Sequence, residues 1–182
     1  MTLEVDMVPF DGRLNRADFD CGVDELNGWL RHTASQLEKR CICRVFLAIP
    51  KAQSLLAWHA AGFTTLQAST ILGFYARSAA QLPLEHLPAN SGLPRRVPAA
   101  RMGRPAVDLR VHCLGFGDLL LSNAIVRTAE AGASIGVSGL FVDAKDLKAA
   151  AFYQKYGFQP GVDRPLRLWL NLASIVAMLG AP

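Results

Sequence analysis

The stretch VHCLGFGDLLL, residues 111–121, constrains the chain more than any other. Two glycines flank one aromatic, an acid follows, and three leucines come after it. The preceding residues, MGRPAVDLRV, read as a short strand, and LLLSNAIVRTAEA reads as a helix from Gly117 to Ala131 with Gly132 just past its end. A helix N-terminus offers unpaired N–H groups and the positive end of the helix dipole, so phosphates bind there. Glycine lets the backbone come close to such a ligand. Leu114-Gly115-Phe116-Gly117-Asp118 therefore suits a pyrophosphate cradle. It lacks the Lys-Ser/Thr ending of a Walker loop and the third glycine of a dinucleotide fingerprint.

The remaining segments alternate. Residues 19–40 carry Leu26, Trp29, Leu30, Thr33/Ala34 and Leu37 at helical spacing, with Asp20 as a candidate cap. CRVFLAIP, 43–50, is a strand ended by Pro50. Residues 51–70 lack a clean period and read as a long, partly ordered connection. Residues 69–82 form a second strand, and a proline-rich loop follows. SGLFVDA, 138–144, is a strand. KDLKAAAFYQKYG is a helix that starts near Asp143 or Lys145 and stops at Gly157. Arg167 to Leu172 give a last strand, then a short helix or an apolar tail. The class is α/β or α+β: a central mixed, twisted sheet flanked by helices. At 182 residues the chain reads as a single domain, 1–182.

Composition narrows the function. The chain is 51% hydrophobic and 19% charged, which excludes a disordered protein. Its net charge of +4 admits a polyanion without demanding one. Cys21, Cys41, Cys43 and Cys113 form no metal or disulfide pattern, and His32 and His59 have no ligand partners, so a reducing cytoplasm and no metal are expected. The start, MTLEVDMVPF, does not read as a signal peptide, and the apolar tail is shorter than the run expected of a membrane span.

The order of elements, HxxGxGxxLL from His112, and FYQKYGF at 152–158 together resemble the GNAT superfamily of acetyltransferases. CGVDELNGWL at 21–30 and RPAVD at 104–108 resemble one branch, the acetyltransferase toxins of bacterial toxin–antitoxin modules. The resemblance implies a GNAT fold, acetyl-CoA as cofactor and the amino acid on charged tRNA as substrate. It also implies a ribbon-helix-helix antitoxin and a homodimer. It points to Ala106, Val107 and Asp108 for the acetyl and pantetheine, and to His112, Cys113, Leu114, Gly115, Phe116, Gly117 and Asp118 for the pyrophosphate. Tyr153 becomes the acid that protonates the leaving thiolate, with Tyr156 its rival one helical turn away. On the residues alone, Asp108 reads as fixing the turn into the loop, and Asp118 as a first-turn acid. Arg95, Arg96, Arg101 and Arg104 form a basic cluster suited to RNA backbone. Acetylation of a small amine or a protein, and a silent protein that only binds CoA or an antitoxin, stay open as alternatives. Pro105 stands where the branch usually has leucine, and it removes a backbone N–H beside the expected cofactor site.

Overall fold

The computed structural model describes residues 2–88 and 92–180. Residues 89–91 of the proline-rich loop, Met1 of the N-terminal reading and residues 181–182 of the apolar tail lie outside them. Seven strands form one sheet in the order β1-β2-β3-β4-β5-β7-β6. They are β1 (Val5–Pro9), β2 (Arg44–Pro50), β3 (Gly73–Pro83), β4 (Arg96–Val107), β5 (Gly139–Asp143), β6 (Gln159–Pro160) and β7 (Arg167–Asn171). The helices are α1 (Asp24–Gly28), α2 (Ala34–Lys39), α3 (Leu55–Ala60), α4 (Phe116–Ser134), α5 (Leu147–Gln154) and α6 (Leu172–Met178). This is the mixed sheet with flanking helices that the sequence predicts. β4 and β5 pair in parallel, whereas β1/β2, β5/β7 and β6/β7 pair antiparallel.

The chain divides into two compact units, residues 1–76 with 104–123, and residues 77–103 with 124–182. In the first unit, a core of Phe19, Trp29, Leu30, Val45, Leu47, Ile71, Phe74 and Ala106 is buried. Phe74 meets Phe19 edge-on at 5.3 Å and stacks on Trp29 at 5.8 Å. The helix expected over 19–40 is α1 and α2 joined by a π turn, in which Ala34 N–H donates to the Trp29 carbonyl. That extra residue keeps Trp29, Leu30, Ala34 and Leu37 on the core side. Asp20 is not its cap. The cap position is Val23, and the Asp20 carboxylate accepts from Gly22 N–H and Asn27 Nδ2 instead, both at 2.8 Å.

The connection expected over 51–70 to be partly ordered contains α3. Trp58 is buried, donates from Nε1 to the Glu4 carbonyl at 3.1 Å, and packs beside Phe63 and Phe116. A tertiary contact, not periodicity, holds this short helix. Gly73 admits another close approach. A Cβ there would sit 3.0 Å from the Ala106 carbonyl oxygen and 3.4 Å from Leu120.

In the second unit, Leu82, Leu87, Val97, Ala99, Phe141 and Trp169 form the core cluster. The strand expected to be short is corrected here: it takes in Arg96 and Arg101 from the expected loop, while Arg95 stays outside it. β4 already begins at Arg96 and includes Pro98, whose carbonyl accepts from Ser138 N–H. The helix expected to end before Gly132 runs to Ser134, and Gly132 lies within it against the Leu172 side chain. A Cβ on Gly132 would come within 2.6 Å of Leu172. α5 begins after Asp146, whose side chain accepts from Ala149 N–H, and closes at Gly157 with φ +84. The apolar tail supplies α6, capped by Asn171.

Candidate active site

The cradle belongs to the first unit. β4 bends before it arrives. Arg104 has φ +54, rare for a side-chain-bearing residue, and Pro105 follows on an exposed face. The Arg104 guanidinium lies 5.1 Å from the Trp29 ring centre and 3.4 Å from Glu25. Beyond the bend come Ala106, buried, and Val107.

Asp108 then fastens the junction. It is 1% exposed, yet every role of this residue is polar. Its N–H donates to the Leu72 carbonyl at 2.9 Å. Its carboxylate accepts from Asp20 N–H at 3.1 Å, from Arg110 N–H at 3.0 Å, and from the Arg110 guanidinium at 2.7 and 2.8 Å. Leu109 N–H donates to the Asp20 carbonyl at 2.8 Å. Asn27 holds the same loop, accepting from Cys21 N–H at 2.9 Å and donating to Asp20. The CGVDELN and AVD segments are thus one hydrogen-bonded knot. Asp108 offers no free N–H to a cofactor carbonyl; that leaves Ala106 and Val107 of the three expected positions.

The loop itself turns on positive dihedrals at Cys113, φ +64, and Gly115, φ +79. His112 reaches back: Nε2–H donates to the Val107 carbonyl at 2.9 Å, which orients the loop. The Cys113, Leu114 and Gly115 side of the loop is exposed, and Phe116 is buried against Trp58. Leu119 N–H donates to the Gly115 carbonyl at 3.1 Å. The N–H groups of Phe116 and Gly117 lie in the opening turn of a 19-residue helix. Asp118 stands in that first turn, its carboxylate 3.9 Å from where a Cβ on Gly115 would lie. Nothing else crowds that position. The set fits an anionic pyrophosphate: open space at a glycine, donors in one turn and a long dipole behind them.

The second unit holds Tyr153, Arg95, Arg96 and Arg101. Tyr153 is 7% exposed on α5, with Phe152 at 5.3 Å and Phe158 at 5.8 Å between ring centres. Burial alone pushes its phenol above the ordinary tyrosine range. It therefore keeps its proton at neutral pH and is equipped as a donor. Tyr156 is half-buried and closes the helix, its N–H donating to the Tyr153 carbonyl at 2.9 Å. Arg95 and Arg96 are exposed. Arg101 pairs with Asp143 at 3.1 Å, as does Arg167 at 2.7 Å, a residue that sequence reading used only as a strand boundary. Of the expected basic cluster, Arg104 belongs to the first unit and Arg95, Arg96 and Arg101 to the second. Among the described residues, no group of three or more His, Cys, Asp or Glu is placed to hold a metal ion, and no helix is long and apolar enough to cross a membrane.

Comparison with known proteins places this arrangement. No family model matches the chain. The fold superimposes on AtaT complexed with acetyl-methionyl-tRNAfMet with TM-score 0.81 at 24% identity, covering 98% of this chain and 99% of that one. A mutant AtaT bound to the C-terminus of the antitoxin AtaR and acetyl-CoA gives TM-score 0.75 at 22% identity, covering 97% and 98%. The fold is the GNAT-like fold of these toxin structures. A probable toxin TacT of Sinorhizobium fredii is 28% identical over 184 residues, 94% of this chain and 93% of its own. A tRNA-acetylating toxin of Mycobacterium tuberculosis is 32% identical over 120 residues, 65% of this chain and 72% of that protein. The chain belongs to this family of tRNA-acetylating toxins.

Proposed function

We propose that the chain is an acetyl-CoA-dependent N-acetyltransferase that acetylates the α-amino group of aminoacyl-tRNA and so stops translation. The observation that carries the chemistry is the cradle, a glycine turn with an open, exposed face at the start of the long helix α4. The substrate follows from the relatives: a tRNA-acetylating toxin, and AtaT held with acetyl-methionyl-tRNA. Bound there, acetyl-CoA supplies an activated acetyl thioester. Phe116, Gly117 and Asp118 N–H groups receive its pyrophosphate, with His112, Cys113, Leu114 and Gly115 shaping the turn. The end of β4 at Ala106 and Val107 offers backbone groups to the acetyl and pantetheine. As the amine nitrogen bonded the acetyl carbon and the carbon–sulfur bond broke, Tyr153 would donate its proton to the sulfur, and the proton given up by the nitrogen would return to the phenolate through water. The amine needs little help from a base, because an ester next to an α-amino group lowers its pKa and leaves much of it neutral.

In this reading all of residues 1–182 serve one acetyltransferase domain in the cytoplasm, acting as a homodimer. An antitoxin of the ribbon-helix-helix type restrains it; the antitoxin-bound AtaT supports a partner of that role. The test is transfer of label from acetyl-CoA to a pool of aminoacylated tRNA, wild type beside Tyr153→Phe. Label on the tRNA with wild type alone establishes reaction and acid together. Label that appears only on polyamines or peptides sinks the tRNA substrate.

A further inference from the structure

The two units differ in charge. The first carries nine lysines and arginines against ten acids, net −1; the second carries ten against five, net +5. The chain's positive charge therefore resides in the second unit, and a polyanion is drawn to it. The strands of that unit show where the charge is held rigidly. Val97 and Ala99 of β4 are buried with Phe141 and Trp169. Arg101 continues that row at the strand period of two, opposite Phe141 of β5. Asp143 lies opposite Arg167 of β7.

These three side chains meet. Arg167 donates from Nε to Asp143 Oδ1 at 2.7 Å and from a terminal nitrogen to Oδ2 at 3.2 Å. Its guanidinium also lies 5.2 Å from the Phe141 ring centre. Arg101 reaches the same carboxylate at 3.1 Å. Arg167 is 21% exposed in its side chain and Arg101 is 49%. Arg167 is thus the anchor, while Arg101 retains donors that face water. One carboxylate between two guanidiniums leaves one positive charge, fixed on three strands.

We propose that Arg101, positioned by Asp143 and Arg167, binds the sugar–phosphate backbone of the RNA substrate, and that Asp143 weakens that contact by partly neutralising it. This rests on the reading of tRNA as substrate. Asn at position 143 would keep an oxygen for Arg167 Nε and lose the charge, so it separates the two effects of Asp143.

The test is binding of deacylated tRNA without acetyl-CoA, by fluorescence anisotropy across a salt series, with thermal melts confirming that each variant folds. Arg101→Ala weakens binding about 5-fold or more and lowers the log–log salt slope by about one. Arg167→Ala weakens it less. Asp143→Asn tightens binding about 3-fold and steepens the slope. Three variants indistinguishable from a tRNA-binding wild type would overturn the inference and leave the substrate reading intact. So would an Asp143→Asn that weakens binding as Arg101→Ala does. Effects confined to an acidic peptide used in place of tRNA would reassign the face to a protein partner. A wild type that binds no tRNA would overturn the inference and the substrate reading together.

Discussion

The turn at Asp108 and the wall around Tyr153 are both buried, and they are built in opposite ways. Asp108 is surrounded by donors: Asp20 N–H, Arg110 N–H and the Arg110 guanidinium. Tyr153 is surrounded by rings, Phe152 and Phe158. The difference follows from the work each region does. A loop that binds through backbone N–H groups must hold its dihedrals, and directional hydrogen bonds do that. A phenol that must arrive protonated needs surroundings that disfavour its anion, and apolar packing does that. The cradle should therefore fail in binding, and the tyrosine in turnover.

Tyr153→Phe is the sharpest way to break that comparison. Removing the hydroxyl should lower kcat about 100-fold or more and leave acetyl-CoA affinity within about 2-fold. Steady-state kinetics beside calorimetry reads both. Equal losses in the two would mean that the tyrosine shapes the binding site and is no acid. The pH profile sharpens it further. The folded phenol titrates above its ordinary value, so the acid form persists through neutral and mildly alkaline pH. Any fall in kcat that depends on Tyr153 should be centred above the ordinary phenol range. A Tyr153-dependent fall centred near pH 8 would contradict the burial seen here.

Asp108→Ala tests the other half. It strips a buried carboxylate from two backbone N–H groups and from Arg110, whose side chain is 32% exposed and so regains some water. About 2–3 kcal/mol of stability should be lost, read as a lower denaturant midpoint. Asp108→Asn should lose less, because its oxygen can still accept from a backbone N–H. A midpoint unchanged in both variants would show that the knot does not hold the junction. Next in size is Gly115→Ala. At φ +79 a Cβ is strained by about 1 kcal/mol, although the space around it is open. Acetyl-CoA affinity should fall about 5-fold with kcat little changed. A drop in kcat alone would place the glycine outside the cradle's work.

What the sequence showed plainly was local. The glycine turn, the strand before it and the FYQKYGF helix each carry their signal within about ten residues, so they could be read without a structure. Tertiary contacts hid the rest. α3 is six residues long, too short for periodicity, and depends on Trp58 meeting Phe63 and Phe116. The proline-rich segment through Pro98 read as a loop and made β4 look short; yet Pro98 still pairs through its carbonyl. CGVDELN and AVD looked like two separate soft features because 88 residues separate Asp20 from the Asp108 carboxylate it touches. Arg167 gave no signal at all. Its partners, Asp143 and Phe141, lie on a neighbouring strand.

The smallest effect separates cysteines by the same contrast. Cys41 and Cys113 are exposed, whereas Cys21 and Cys43 are buried. Burial raises both buried thiols above the ordinary cysteine range, so at pH 8 they hold less thiolate than a free cysteine. Brief maleimide treatment should modify Cys41 and Cys113 first, with peptide mass spectrometry reading the order. Acetyl-CoA should then slow Cys113, which shapes the cradle, and leave Cys41 unchanged. Cys41 supplies the internal standard, since its neighbour Arg44 belongs to β2 and not to the cradle loop. Equal protection of both would point to a general tightening of the fold. No protection of either, with acetyl-CoA bound, would place the pyrophosphate away from the turn at Cys113 and Gly115.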